Sequence, residues 1–272
     1  MGKRGGSGRG GGTGSGGGGP QMQFSMMVPV TPVVRWMIGI SVAVWLIGQV
    51  IIEGYVLNQP SITWIFGLVP ENILSKFFVW EFVSYMFLHS RNVFHIVFNM
   101  LLLWWLGAEL EQRWGSKFFL LYYMVSGVGA GLIYTLVVLG HSLVVGPSAV
   151  WTTPVVGASG AIFGLMLAYG IIFGERVVYF MMVFPMRAKY FTMILGAVEV
   201  VTLLNNGIEG GDVANLAHLG GLASGFLFLQ GYTRFQQRRW RKQSDKRGRG
   251  LRLVVNNDEK KDDKGGGPKY WN

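Results

Sequence analysis

The 272-residue sequence contains no cysteine, which excludes disulfides and thiolate metal sites. It is also poor in charge: 14% of its residues are Asp, Glu, Lys or Arg, against about 25% in an average soluble domain. Acids are the scarcer sign, 14 against 24 basic residues. Half of the chain is hydrophobic and its mean hydropathy is +0.37, which excludes a disordered protein. The net charge of +10 could suggest nucleic acid, but that charge lies at the ends. Residues 1–20 carry Lys3, Arg4 and Arg9 and no acid. Residues 233–272 carry thirteen basic and five acidic residues. The 212 residues between hold eight basic and nine acidic ones. A nearly neutral apolar body with basic extensions reads as a polytopic membrane protein, whose expected partners include membrane lipids and not nucleic acid.

Three parts follow along the chain. Residues 1–32 open with a low-complexity arm, twelve glycines in its first twenty residues, expected to be disordered. It lacks the apolar stretch and cleavage site of a signal peptide. Residues 33–232 hold six apolar stretches: Val33–Ile52, Val93–Leu110, Phe118–Gly140, Ser159–Gly174, Tyr190–Leu204 and Val213–Tyr232. A spanning helix needs about 20 residues, so the fourth and fifth are short. The eight-residue piece Val177–Phe184, closed by Pro185, predicts an interfacial or loop segment, and His141 is placed in a loop after the third span. Residues 233–272 are a basic cytoplasmic tail, expected to hold the last span's end inside and attract anionic lipid, at about 1 kcal/mol per residue; partner or nucleic-acid binding is the alternative reading of such a stretch. The expected fold is all-α, a six-transmembrane-helix bundle. Six spans put 22 of the 24 basic residues on one side, leaving Lys76 and Arg91 on the other. Both termini are therefore expected in the cytoplasm, and the lack of a targeting signal favours a bacterial plasma (inner) membrane. The first outer loop carries Trp64, Phe66, Phe77, Phe78, Trp80, Phe82 and Tyr85, which suits a segment lying in the membrane interface.

Polar groups inside a bilayer are costly and mark candidate sites. Here they are His95, Asn99, Ser159, Glu199, Asn215 and His218, with His89 at an edge. Ser159 opens the fourth span in Gly157-Ala158-Ser159-Gly160, where a helix start offers free N–H groups beside a nucleophilic oxygen. The pairs Gly160/Gly164 and Gly221/Gly225 allow the fourth and sixth helices to pack closely, with Ser159 against His218; packing alone also accounts for such a serine and histidine. His95 and Asn99 share a helix face and can donate hydrogen bonds. They suit an oxyanion hole or a polar clamp, while a metal is disfavoured because no carboxylate or Cys joins them in a ligand spacing.

In order, His95-x-x-x-Asn99, Gly157-x-Ser159-Gly160 and Ala217-His218-x-x-Gly221-x-x-x-Gly225 resemble the rhomboid family of intramembrane serine proteases, over roughly residues 33–232. The resemblance implies Ser159 as nucleophile and His218 as general base. It implies an oxyanion hole made by the Ser159 N–H, His95 and Asn99, with Phe163 packed on the His218 ring. It further implies transmembrane proteins as substrates, no cofactor, and a structural role for Glu111-Gln112-Arg113. His89 stands near a further family histidine, one residue out of register. Trp80-Glu81 departs from the Trp-Arg found in many members. A catalytically silent scaffold would be expected to lack the serine or the histidine, and a transporter to show internal repeats; neither pattern is seen. The sequence leaves the oligomeric state open.

Overall fold

A computed structural model describes residues 29–180, 184–208 and 214–248. The greater part of the Gly-rich arm and the end of the basic tail lie outside the described residues. Helices occupy all six apolar stretches. Four of them are long and apolar enough to cross a membrane: Pro32–Val56, Val93–Trp114, Ser116–Val145 and Ala188–Asn206. The outer surface is apolar, with Trp36, Phe98, Leu136 and Met193 all more than half exposed. The polar side chains Gln49, Glu53, Asn72, Glu81, His89, Asn99 and Glu111 are instead buried. That arrangement is the one a bilayer solvent demands. The protein is an all-α, polytopic membrane bundle.

Helix α1 (Pro32–Ala43) starts with proline at its first turn, where the missing N–H costs nothing. No side chain of its own caps it. Glu111 of α5 (Val93–Trp114) does so instead, accepting from Val33 N at 3.0 Å, Val34 N at 3.1 Å and the Thr31 hydroxyl. The rest of the first span, Val44–Val56, is a π-helix that buries Gln49 and Glu53. Glu53 accepts from the backbone N–H and hydroxyl of Thr63, and Gln49 Nε2 donates to the same hydroxyl at 3.1 Å. This network ties α1 to the segment after it.

That segment is built from α2 (Ser61–Phe66), α3 (Pro70–Lys76) and α4 (Glu81–Ser84), the last continued by a 3₁₀ turn, Tyr85–Phe87. Trp64, Phe66, Phe77 and Trp80 are exposed on it. Glu81 is fully buried and accepts from Val69 N at 2.8 Å and Asn72 Nδ2 at 3.1 Å. Burial raises its pKa, opposed by those donors and by Lys76. Here the carboxylate organises the loop from inside, which gives the departure at Trp80-Glu81 a physical reason. Glu81→Ala strands two buried donors and is expected to cost about 2–4 kcal/mol, read as a lower melting temperature in detergent.

Helix α5 follows an Asn92 cap, whose Oδ1 accepts from Phe94 N at 3.0 Å. Helix α6 (Ser116–Val145) runs beyond the expected stretch, so His141 lies on its last turns and not in a loop; residues 141–145 simply continue the helix up to Gly146. The short α7 (Ala149–Thr152) leads to α8 (Ser159–Ile172). The piece Val177–Phe184, expected as an interfacial or loop segment, instead contributes to an antiparallel strand pair, β1 (Val177–Phe180) with β2 (Phe184–Arg187), Val177 standing opposite Arg187. Val178 is buried between exposed Val177 and Tyr179. That two-residue alternation of β-branched and aromatic residues is a strand signal. Helices α9 (Ala188–Asn206) and α10 (Ala214–Gly248) complete the bundle. Helix α10 crosses the boundary drawn at residue 232 without a break, so the first part of the basic tail is helical.

Candidate active site

Helix α8 is the central element, packed against α5, α6, α9 and α10. Its far end is marked by ion pairs: Arg176 with Glu109, and Glu175 with Lys189 and Arg187. Its 14 residues reach about 21 Å at 1.5 Å each, while the hydrocarbon layer is about 30 Å thick. A helix of that length does not by itself cross the layer. The loop leading to it is clamped from two sides. Leu68 and Val155 exchange backbone hydrogen bonds at 2.9 Å, and Gly157 N donates to Tyr85 O at 3.0 Å. Ala158, the cap residue, has no side-chain oxygen, and the first N–H to find its i−4 carbonyl is that of Ile162. The N–H groups of Ser159, Gly160 and Ala161 thus have no partner within the helix.

Across from Ser159 stands His218, in the first turns of α10. Its Nε2 lies 2.8 Å from Ser159 Oγ. Phe163, one turn along α8, stacks on the imidazole with centroids 4.2 Å apart and planes at 11°. The glycines permit this closeness. A Cβ on Gly221 would sit 1.9 Å from the carbonyl oxygen of Gly160. One on Gly160 would meet Ala130 Cβ at 2.9 Å, and one on Gly225 the Tyr122 hydroxyl at 2.5 Å. That hydroxyl donates to Gly164 O at 2.7 Å, joining α6 to α8 just below the site.

His95 is placed by the opposite wall. Gln49 of the π-helix accepts from His89 N at 2.8 Å, and the Trp45 indole donates to Ser90 O at 3.0 Å. The turn so held presents Ser90, whose N–H and Oγ lie 3.2 and 3.0 Å from His95 Nδ1. A backbone N–H can only donate, so Nδ1 accepts and the neutral ring carries its hydrogen on Nε2. That nitrogen lies 3.1 Å from where a Gly157 Cβ would stand, a position itself 3.6 Å from Ser159 Oγ. Gly157 has φ +133°, so a side chain there would be strained as well as crowded. Asn99 is buried, and its Nδ2 donates to His95 O at 2.7 Å within its own helix. One amide hydrogen is thereby committed and one is left for another acceptor.

Two contributors could not be read from sequence. Ser90 orients His95 across a turn. Glu199 of α9 brings Oε1 to 3.0 Å from His218 Nδ1, with both side chains about one-seventh exposed. The sequence marks Glu199 as an ionisable residue in an apolar stretch, but gives no sign that its face meets α10. His89 is fully buried, its ring edge-on to His95 at 5.3 Å. Burial, and then the neighbouring His95, lowers its pKa to about 4. The unfolded chain takes up this proton near pH 6.5. Stability present above that pH is lost as the pH falls towards 4, by up to roughly 3 kcal/mol. The melting temperature should drop across this window, and more gently in His89→Gln. Equal slopes would assign the acid sensitivity elsewhere.

Comparison with known proteins places these features in context. The family model for the Rhomboid domain matches residues 76–235. RHOMBOID-like protein 1 of Arabidopsis thaliana is 35% identical over 157 residues, 57% of this chain and 35% of that protein. Rhomboid protease AarA of Providencia stuartii is 35% identical over 159 residues, 56% of each chain. Rhomboid protease GlpG of Yersinia pestis is 32% identical over 160 residues, 58% of this chain and 50% of that protein. The chain thus spans between about a third and just over half of the length of these relatives.

Proposed function

The chain belongs to the rhomboid family, and from that premise we propose that it is an intramembrane serine endopeptidase cleaving transmembrane segments of membrane proteins. The observation that carries this reading is the 2.8 Å approach of His218 Nε2 to Ser159 Oγ at the start of a buried apolar helix. Ser159 Oγ attacks the peptide carbonyl carbon while its proton passes to His218 Nε2. The developing oxyanion is stabilised by the Ser159 N–H, His95 Nε2–H and the uncommitted amide hydrogen of Asn99. Collapse of the tetrahedral intermediate breaks the C–N bond, and Nε2 returns the proton to the leaving amine. Water then repeats the sequence on the acyl-enzyme, so the site must open to the aqueous side. No metal or cofactor enters any step.

A substrate helix must unwind locally, because its backbone hydrogen bonds otherwise shield the peptide bond. Substrates therefore carry small or helix-breaking residues near the outer end of a transmembrane segment. In this reading residues 33–232 are the protease domain, with six spans and both termini in the cytoplasm of a plasma (inner) membrane. The basic residues of the N-terminal arm, the 113–117 and 176–189 turns and the tail all fall on the inner side under that topology.

The test is reconstitution with a fluorescent transmembrane substrate, comparing the wild type with Ser159→Ala and His218→Ala. Cleavage by the wild type alone is expected. Equal cleavage by all three would remove the protease reading.

A further inference from the structure

We propose that Glu199 is a positioning residue for the general base, making the site a Ser159–His218–Glu199 relay; this rests on the reading of Ser159 and His218 as catalytic. To accept the serine proton, His218 Nε2 must be bare, so the neutral ring carries its hydrogen on Nδ1. Nδ1 faces Glu199, with Oε1 at 3.0 Å. In the resting arrangement the approach is close but off the axis of a hydrogen bond: His218 Nδ1 and Glu199 Oε2 are both buried without a hydrogen-bond partner. A small rotation of the carboxylate satisfies both atoms at once. Buried polar groups left unpaired are costly, which favours that rotation when the imidazole becomes a cation.

The imidazole is then held on three sides by side chains from different helices. Ser159 of α8 meets Nε2, Phe163 of α8 covers one ring face, and Glu199 of α9 meets Nδ1. Tautomer and orientation follow from this enclosure, and the carboxylate offsets the charge that His218 gains during attack. Among the described ionisable groups on the packed helices, Glu199 is the carboxylate at the ring. From α6, Tyr122 and Tyr134 direct their hydroxyls to the carbonyls of Gly164 and Val150.

The experiment measures kcat and KM for the full-length protein in liposomes, on a fluorogenic transmembrane substrate. The variants are Glu199→Gln, Glu199→Asp and Ser159→Ala. Glu199→Gln is expected to lose about 10²-fold or more in kcat with KM within about twofold. Glu199→Asp, which restores the carboxylate, should recover part of the rate. If Glu199→Gln does not fold, Glu199→Leu, close to it in volume and with no polar group of its own to pair, supplies the same kcat readout. An unchanged kcat in the charge-removed variant overturns the role of Glu199 while leaving the protease reading intact. Persistent cleavage by Ser159→Ala overturns the protease reading itself.

Discussion

Gly221→Ala is expected to inactivate the protein and lower its stability more than any exposed substitution. The added Cβ would stand 1.9 Å from the Gly160 carbonyl oxygen and 2.7 Å from its carbon. Both are backbone atoms of α8, so no side chain can swing away. The helices must separate by more than an ångström, and the moving parts carry Ser159 and His218. Overpacking of this kind costs about 1–3 kcal/mol or more, and a 1 Å misplacement of reacting groups costs about 10²-fold in rate. Gly140→Ala is the matched control. It also sits on a long helix, but nothing lies within 4 Å of its Cβ position. It should keep activity and gain up to about 1 kcal/mol from helix propensity. Melting in detergent and cleavage in liposomes read both effects; equal behaviour of the two variants would contradict the close α8–α10 contact.

The second large effect concerns the chemistry. Ser159→Ala and His218→Ala should each reduce kcat by about 10⁴–10⁶-fold, and the double variant should be no worse than either alone, because the two groups act as a unit. His95→Ala should cost less, about 10²–10³-fold, as expected for one oxyanion donor. The melting temperatures of the serine and histidine variants should stay near that of the wild type. Multiplying losses in the double variant would show that the two side chains act separately.

Much of this was legible in the residues because a bilayer makes polar side chains conspicuous. Ser159, His218, His95 and Asn99 stand out in apolar stretches whose helical period puts them on definable faces. Close helix contact was readable in Gly160, Gly164, Gly221 and Gly225, since small residues four apart mark such interfaces. The pairing of β1 with β2 was not, because four-residue strands carry too short an alternation to compete with an apolar run. The Glu199–His218 contact depends on the rotation of α9 about its own axis, which tertiary packing sets. The hold on His95 runs through Trp45, Gln49 and Ser90, with bonds from Trp45 to Ser90 and from Gln49 to His89 that span 45 and 40 positions of the chain. A thirteen-residue π-helix has no sequence periodicity of its own that would have announced it.

The central claim is that Ser159 is an activated nucleophile inside the membrane domain. Labelling of the reconstituted protein with a fluorophosphonate, followed by peptide mapping, tests it most directly. A single adduct on Ser159, lost in Ser159→Ala and strongly slowed in His218→Ala, is the predicted result. No adduct on Ser159 in folded wild-type protein, or labelling that is indifferent to His218, would contradict it.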